Sequence, residues 1–201
     1  MSVERFAMRL EYSLLGAFVA LSLWPSGALA QGHDNHPQPA QQAQTAAQKK
    51  QASDLVRAVR EATERFQDVE VAKGEQYGLM FGCVSGSDYG AMGLHFVKGA
   101  LVFDGELDVR HPEIVLYEPL SNGRMRLTGA DFLVLADAWN AKHTSPPELG
   151  GQLFHFFESP NRFGLPAFYT LHVWAWKENP AGTFTNWNPN VSCDAFNEPN
   201  D

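Results

Sequence analysis

The sequence is short of positive charge. It carries 15 Lys and Arg against 23 Asp and Glu in 201 residues, a formal net charge of −8. Nucleic acid is held by clustered cations that neutralise phosphates, so it is excluded as an expected partner. Cysteine is nearly absent: Cys83 and Cys193 are the full complement, too few for a Cys-rich metal site, and no C-x-x-C-H haem attachment exists. Long apolar runs are missing as well. Ser13 to Trp24 is the most apolar stretch, and it falls short of the roughly 20 residues that span a bilayer. Motifs that name a reaction are also lacking. Gly82-Cys83-Val84-Ser85-Gly86 misses the G-x-S-x-G spacing of a nucleophile elbow, no Gly-rich phosphate loop precedes a helix, and no H-E-x-x-H occurs.

What is present first specifies an address. Arg5 and Arg9 precede the apolar run, and Pro25 and Ala28-Leu29-Ala30 follow it, the layout of a secretory signal cut after Ala30. Residues 1–30 are therefore read as a signal peptide, and the mature chain is expected in the periplasm or medium with no stable membrane anchor. An even cysteine pair in an exported chain points to a Cys83–Cys193 disulfide. Cleavage exposes Gln31-Gly32-His33, whose amine, two amide nitrogens and imidazole can wrap Cu(II) or Ni(II) in a square plane.

Residues 31–52 are rich in Gln, Ala, Pro and His without apolar periodicity and read as a disordered linker. From Ser53 the texture changes. Leu55, Val59, Ala62, Phe66 and Val69 recur at spacings of four and three, one stripe of an amphipathic helix running to Gly74. Short alternating or apolar runs follow at Met92–Val97, Ile114–Glu118, Arg124–Leu135, Gln152–Phe157 and Ala167–Trp176, punctuated by Gly, Pro and Asn. Leu135–Asn140 reads equally as a helical turn. Residues 53–201 are thus expected to form a single α+β domain, an N-terminal amphipathic helix packed on a curled or barrel-like antiparallel sheet.

The Asn122-Gly123 pair predicts a two-residue type I′ hairpin. That register sets Glu118 opposite Leu127, Leu116 opposite Gly129 and Ile114 opposite Asp131, and it puts Glu118 and Asp131 on one mostly apolar face. A core face obliges the two carboxylates to find partners; a solvent face does not. His95 and His172 lie within strand-like runs and are the nitrogen partners at hand. Together with Glu118 and Asp131 they are candidate ligands of a divalent transition metal, an N/O set that Zn, Mn or Fe accepts, or else members of a structural hydrogen-bond network. Glu118 and Asp131 alone suit glycosidase-like acid and base work. His155, His111 and His143 sit in less promising contexts. Trp139, Trp174, Trp176 and Trp187 are candidates to line an apolar ligand pocket.

Gly82–Gly86, Gly90-Ala91-Met92-Gly93-Leu94-His95, Pro160–Tyr169 and Leu171–Lys177 resemble an uncharacterised family of exported bacterial proteins over roughly residues 62–193. The resemblance implies a bacterial source, export and one domain, and implies no activity. The expected function is binding of a small ligand or metal ion. A metal-dependent periplasmic enzyme and an envelope structural or interaction protein are the alternatives. The signal-peptide reading is checked by intact mass: the exported form should begin at Gln31, free or cyclised to pyroglutamate, and retention of Met1 would overturn it.

Overall fold

Seven residues of Ala, Gln and Lys, Ala46 to Ala52, are strong helix formers, and a Thr stands just before them with a Gln three positions on. Gln48 N donates to Thr45 Oγ1 at 3.2 Å and Thr45 N to Gln48 Oε1 at 2.9 Å, closing a capping box. Helix α1 therefore spans Ala46–Thr63 and starts before the expected Ser53. Propensity and a cap begin it where no apolar stripe exists, so the linker expected over residues 31–52 is helical from Ala46. The computed structural model describes residues 44–86 and 88–196. The signal segment, Gln31-Gly32-His33 and the first part of that linker lie outside the described residues.

The helix does not run unbroken to Gly74. A 3₁₀ turn, Glu64–Gln67, follows α1, and Asp68 accepts from Glu70 N at 3.0 Å to cap a second helix, α2, Val69–Gly74. A short side chain that can bond the backbone two residues on restarts the helix at that point. The predicted stripe is otherwise the buried one. Leu55 and Val59 pack on Ala130, Phe132, Leu171 and Val173, and Phe66 packs among Leu94, Phe96, Val115 and Tyr117.

The sheet comprises β1 (Gly78–Gly86), β2 (Gly90–Val97), β3 (Ile114–Pro119), β4 (Met125–Leu135), β7 (His155–Phe157) and β8 (Phe168–Val173), in the order β1-β2-β3-β4-β8-β7 with every pair antiparallel. It curls into a half-barrel behind the leading helix. Short helices α3 (Gly99–Val102) and α4 (Ala136–Asn140) and a small hairpin of β5 (Glu148–Leu149) and β6 (Gln152–Leu153) decorate it. Strand β1, rich in Gly and carrying Cys83, was not among the expected runs, and Gln152–Phe157 divides between β6 and β7.

Both faces of the sheet are covered. Val115, Tyr117, Ala130 and Phe132 meet the helix, while Ile114, Leu116 and Leu133 meet a second cluster with Val97, Val102 and Phe168, closed over by Phe81, Phe157, Phe163 and Leu165. The question left open by the hairpin is thereby decided, because the face bearing Asp131 is core.

The hairpin itself differs from the two-residue turn. Leu120 N donates to Arg124 O at 2.8 Å and Gly123 N to Leu120 O at 2.9 Å, leaving a three-residue loop, Ser121 to Gly123, whose last residue has φ +76°. A left-handed Gly at that position suits the longer loop. The frame shifts by one residue, so Tyr117 faces Leu127 and Glu118 faces Arg126; a bulge at Thr128 then restores Leu116 opposite Gly129 and Ile114 opposite Asp131. Bulge and loop compensate each other. Leu127 joins the helix side with Tyr117 instead of sharing a face with Asp131.

The Cys83–Cys193 disulfide is present and joins residues 110 apart in sequence. It ties the irregular C-terminal segment to β1, and Ala91 of β2 pairs with Asn188 of that segment through their backbones. In the chain-entropy account such a loop stabilises by about 4–5 kcal/mol, with less realised in practice. Reduction should lower Tm by about 5–15 °C, as loss of roughly 2–4 kcal/mol implies for a domain of this size; an unchanged Tm would show that the bridge constrains little.

At the entrance to β3, Glu113 is buried and its Oε2 accepts from Leu133 N at 3.1 Å. Burial outweighs that bond and pushes its pKa up to about 8. A carboxyl whose folded pKa lies above its unfolded value contributes stability below the unfolded pKa, and that stability is lost as pH rises through the folded one. Above about pH 6.5, where unfolded-state histidines no longer bind protons, Tm should therefore fall toward about pH 8, and Glu113→Gln should flatten that part of the profile; an equally steep profile in the variant would locate the titration elsewhere.

Candidate metal centre

Strand alternation and register bring the site together. On the face opposite the helix, Val97, Ile114, Asp131 and His172 form one row across β2, β3, β4 and β8, because Val97 faces Ile114, Ile114 faces Asp131 and Asp131 faces His172. His95 lies two residues along β2 on the same face. The ligand atoms of His95, Asp131 and His172 lie within 4.8 Å of one another, and all three residues are buried. The two imidazole centroids are 5.8 Å apart, edge to face.

Three of the four expected ligands thus converge, and Glu118 does not. Its carboxylate receives Lys177 Nζ at 2.6 Å and Ser192 N at 3.2 Å, with Arg126 Nη1 at 3.6 Å. It anchors the C-terminal segment. Glu118 shares the face of Ile114 and Leu116 but lies four residues along β3 from Ile114, the partner of Asp131, roughly 13 Å at ~3.3 Å per residue, so the Glu118/Asp131 acid–base pair does not form.

Each member has a distinct environment. His95 Nδ1 lies 3.1 Å from Gly93 O. With Nδ1–H donated to that carbonyl, the Nε2 lone pair is free, which is how ligating histidines are usually oriented. Gly93 has φ +89°, and a Cβ there would meet Tyr117 O at 2.4 Å, so no larger residue could hold that carbonyl in place. Asp131 Oδ1 accepts from Thr170 Oγ1 and lies 3.4 Å from His172 Nδ1. His172 is the exception: neither ring nitrogen makes a hydrogen bond, and both are buried. The Asn186 side chain faces the ring and favours its protonated form, yet Asn186 Oδ1 is also buried without a partner.

Burial decides the charge states. It pushes the His95 pKa down to about 4, helped by repulsion from His172, and the His172 pKa down to about 3, helped by His155. It pushes Asp131 up to about 6, against the attraction of His95 and the bond from Thr170. Near neutral pH the cluster is accordingly two neutral imidazoles and a carboxylate, a buried net negative charge with two free nitrogen lone pairs. Those are the protonation states in which such residues bind a cation.

Above the cluster is a cavity of about 20 Å³, lined by Met92, Ile114, Leu133, Phe81, Phe157, Phe163, Leu165 and Phe168 over a floor of His95, Asp131, Thr170 and His172. It has room for about one water-sized occupant. Phe81 reaches it through an irregularity in β1. Met80 pairs with His95 and Cys83 with Leu94, so Phe81 and Gly82 are extra, at φ +66° and +61°. A non-glycine residue in the left-handed region is strained, and such strain gathers at functional sites. The Phe81 ring meets Phe163 edge to face at 5.4 Å.

The tryptophans expected to line a pocket are elsewhere. Trp174 packs with Ala91 and Val191, Trp176 donates to Thr63 Oγ1 at 2.9 Å, Trp139 stacks on His143, and Trp187 lies by Tyr89 and Arg162. Phenylalanines form the pocket instead. His155 is exposed on the edge strand and His111 pairs with Asp108 at the surface. Sequence reasoning missed Thr170, Asn186 and Phe81. Thr170 alternates with His172 along β8 and was within reach of the same parity argument, whereas Asn186 sits in coil and Phe81 in a bulge, where no period applies.

Comparison with protein-family models, curated proteins and solved structures finds no match for this chain. Its class is defined by its own architecture: a helix-backed curled antiparallel sheet with a buried His-Asp-His cluster beneath an aromatic cavity.

Proposed function

We propose that this is an exported metal-binding protein that holds one divalent first-row transition ion on His95, His172 and Asp131. One observation carries the reading: His172 is buried and neither ring nitrogen is in a well-formed hydrogen bond, its nearest polar neighbours being Asp131 Oδ1 at 3.4 Å and the Asn186 side chain. A structural network, the competing explanation of the cluster, satisfies its members, and this one leaves its central imidazole without a well-formed hydrogen bond. An ion supplies the missing partner and neutralises the buried carboxylate.

Two imidazoles and one carboxylate suit Zn, Mn or Fe. Metal bonds of about 2.0–2.2 Å place neighbouring ligand atoms roughly 3–3.5 Å apart, so the side chains close somewhat from the 4.8 Å limit that now encloses them. Thr170 holds Asp131 and Gly93 holds His95 as they do so. Export is supported by the disulfide, which suits an oxidising compartment. Among the described residues no helix is long and apolar enough to cross a membrane. A metal-dependent enzyme is the second reading, favoured by the cavity that opens onto the cluster.

The test is metal analysis of the untagged mature protein carrying His33→Ala, which removes the separate Gln31-Gly32-His33 copper or nickel site. About one equivalent of Zn, Mn or Fe should be retained, and saturating metal at about 100-fold Kd should stabilise by about 2.7 kcal/mol. His172→Ala should abolish both effects. Failure of the folded protein to take up any of the three ions overturns the proposal.

A further inference from the structure

We propose that the open coordination position of this centre, loaded with Fe(II), binds a small uncharged diatomic molecule of the dioxygen class. The inference rests on the metal reading above and concerns what the ion faces.

Size is the first constraint. All three protein ligands rise from the sheet, so an ion they hold has its free side toward the cavity, whose volume of about 20 Å³ exceeds the roughly 10–15 Å³ that one water needs and admits a body little larger than a water. A sugar, an amino acid or a peptide carbonyl does not fit without displacing the aromatic wall. The remaining candidates are water, a small anion and a diatomic.

Polarity separates these three. Phe81, Phe157, Phe163, Leu165 and Phe168 offer no hydrogen bond, and the Thr170 hydroxyl, its hydrogen donated to Asp131, is left only as an acceptor. A buried water ordinarily makes about three hydrogen bonds, and here it would have little beyond the metal. An anion would be desolvated among phenyl rings without a cation other than the metal. A diatomic asks for no hydrogen bond, and two histidines with one carboxylate are the donor set of non-haem Fe(II) centres that leave positions open to dioxygen.

Access agrees with this choice. A second cavity of about 50 Å³ shares Phe81, Ile114, Leu133 and Leu165 with the first and is bounded by Met80, Val102 and Phe103. Met80 is 44% exposed and Phe103 70%. The two spaces adjoin across Phe81 and Leu165, and movement of those side chains would join them into an apolar path from the surface to the site. Water and ions are disfavoured along it and an uncharged gas is not.

The probe is nitric oxide, which reports on ferrous iron. The oxidised, disulfide-bonded protein with His33→Ala is loaded anaerobically with Fe(II), its iron is quantified after desalting, and NO is added. The expected result is retained iron and the half-integer-spin EPR signal of a ferrous nitrosyl, absent in His172→Ala. Leu165→Trp, which narrows the gate without touching a ligand, should keep the iron and slow NO binding in stopped flow by about tenfold, equivalent to about 1.4 kcal/mol of added barrier. Leu165→Ala, which needs no added volume, should bind NO at least as fast as the parent. Iron retained without a nitrosyl signal overturns this inference and leaves the metal reading standing; no retained iron overturns both. Equal NO rates in Leu165→Trp, Leu165→Ala and the parent overturn the apolar route.

Discussion

The pairing of β4 with β3 on one side and β8 on the other is the constraint on which the rest of the structure depends. It sets Ile114, Asp131 and His172 in one row, and a one-residue slip would send Asp131 and Leu133 to the helix side and Phe132 to the cavity. The row is preserved through two irregularities that offset each other, a loop one residue longer than the minimum and a bulge at Thr128. Strand pairing fixes the carboxylate of Asp131 on the cavity face, and the aromatic and aliphatic side chains packed over that face bury it. Its electrostatics follow from that confinement.

A buried carboxylate and a buried imidazole are individually unfavourable, and the fold supplies hydrogen bonds to Asp131 but no well-formed one to His172. Thr170 engages one oxygen of Asp131, and Gly93 orients His95, but neither ring nitrogen of His172 is in a well-formed hydrogen bond. The surrounding contacts are strong enough to hold this arrangement. Leu94, Phe96, Tyr117 and Phe66 pack against one another on the opposite face, Tyr117 Oη donates to Phe66 O at 2.8 Å, and the disulfide closes the C-terminal segment onto β1. The pattern of a well-packed frame around an unsatisfied centre is the one expected of a binding site.

The C-terminal segment connects these features. It has no regular structure, yet Cys193, the Ala91–Asn188 bridge and the bond from Ser192 N to Glu118 fix it to three different strands. Glu118 therefore serves the site indirectly, by holding in place the segment that brings Asn186 to His172. That role needs a carboxylate flanked by Lys177 and Arg126, and it accounts for a buried acid that the metal reading of the sequence placed among the ligands.

Much was legible before any coordinates. The 3.6-residue stripe identified the face of α1 that is buried, and the cysteine count identified the bridge. The helix stripe needs only local rules, because the helix period is a property of the backbone; the expected pairing of Asp131 with Ile114 holds only because a bulge at Thr128 offsets a loop one residue longer than the Asn-Gly turn implies. The sequence alone left open whether the Asp131 face was core or solvent, since both faces of β3 and β4 are apolar. Only the tertiary structure decided it, by laying α1 on one side and folding Phe81, Phe163 and Leu165 over the other. It also decided which acid joins the histidines, because pairing with β8 sets Asp131 beside His172 while Glu118, four residues along β3 from Ile114, meets Lys177 and Ser192 of the later chain. Asn186 and the cavity over the cluster arise from segments with no period at all, so their positions depend on what they pack against.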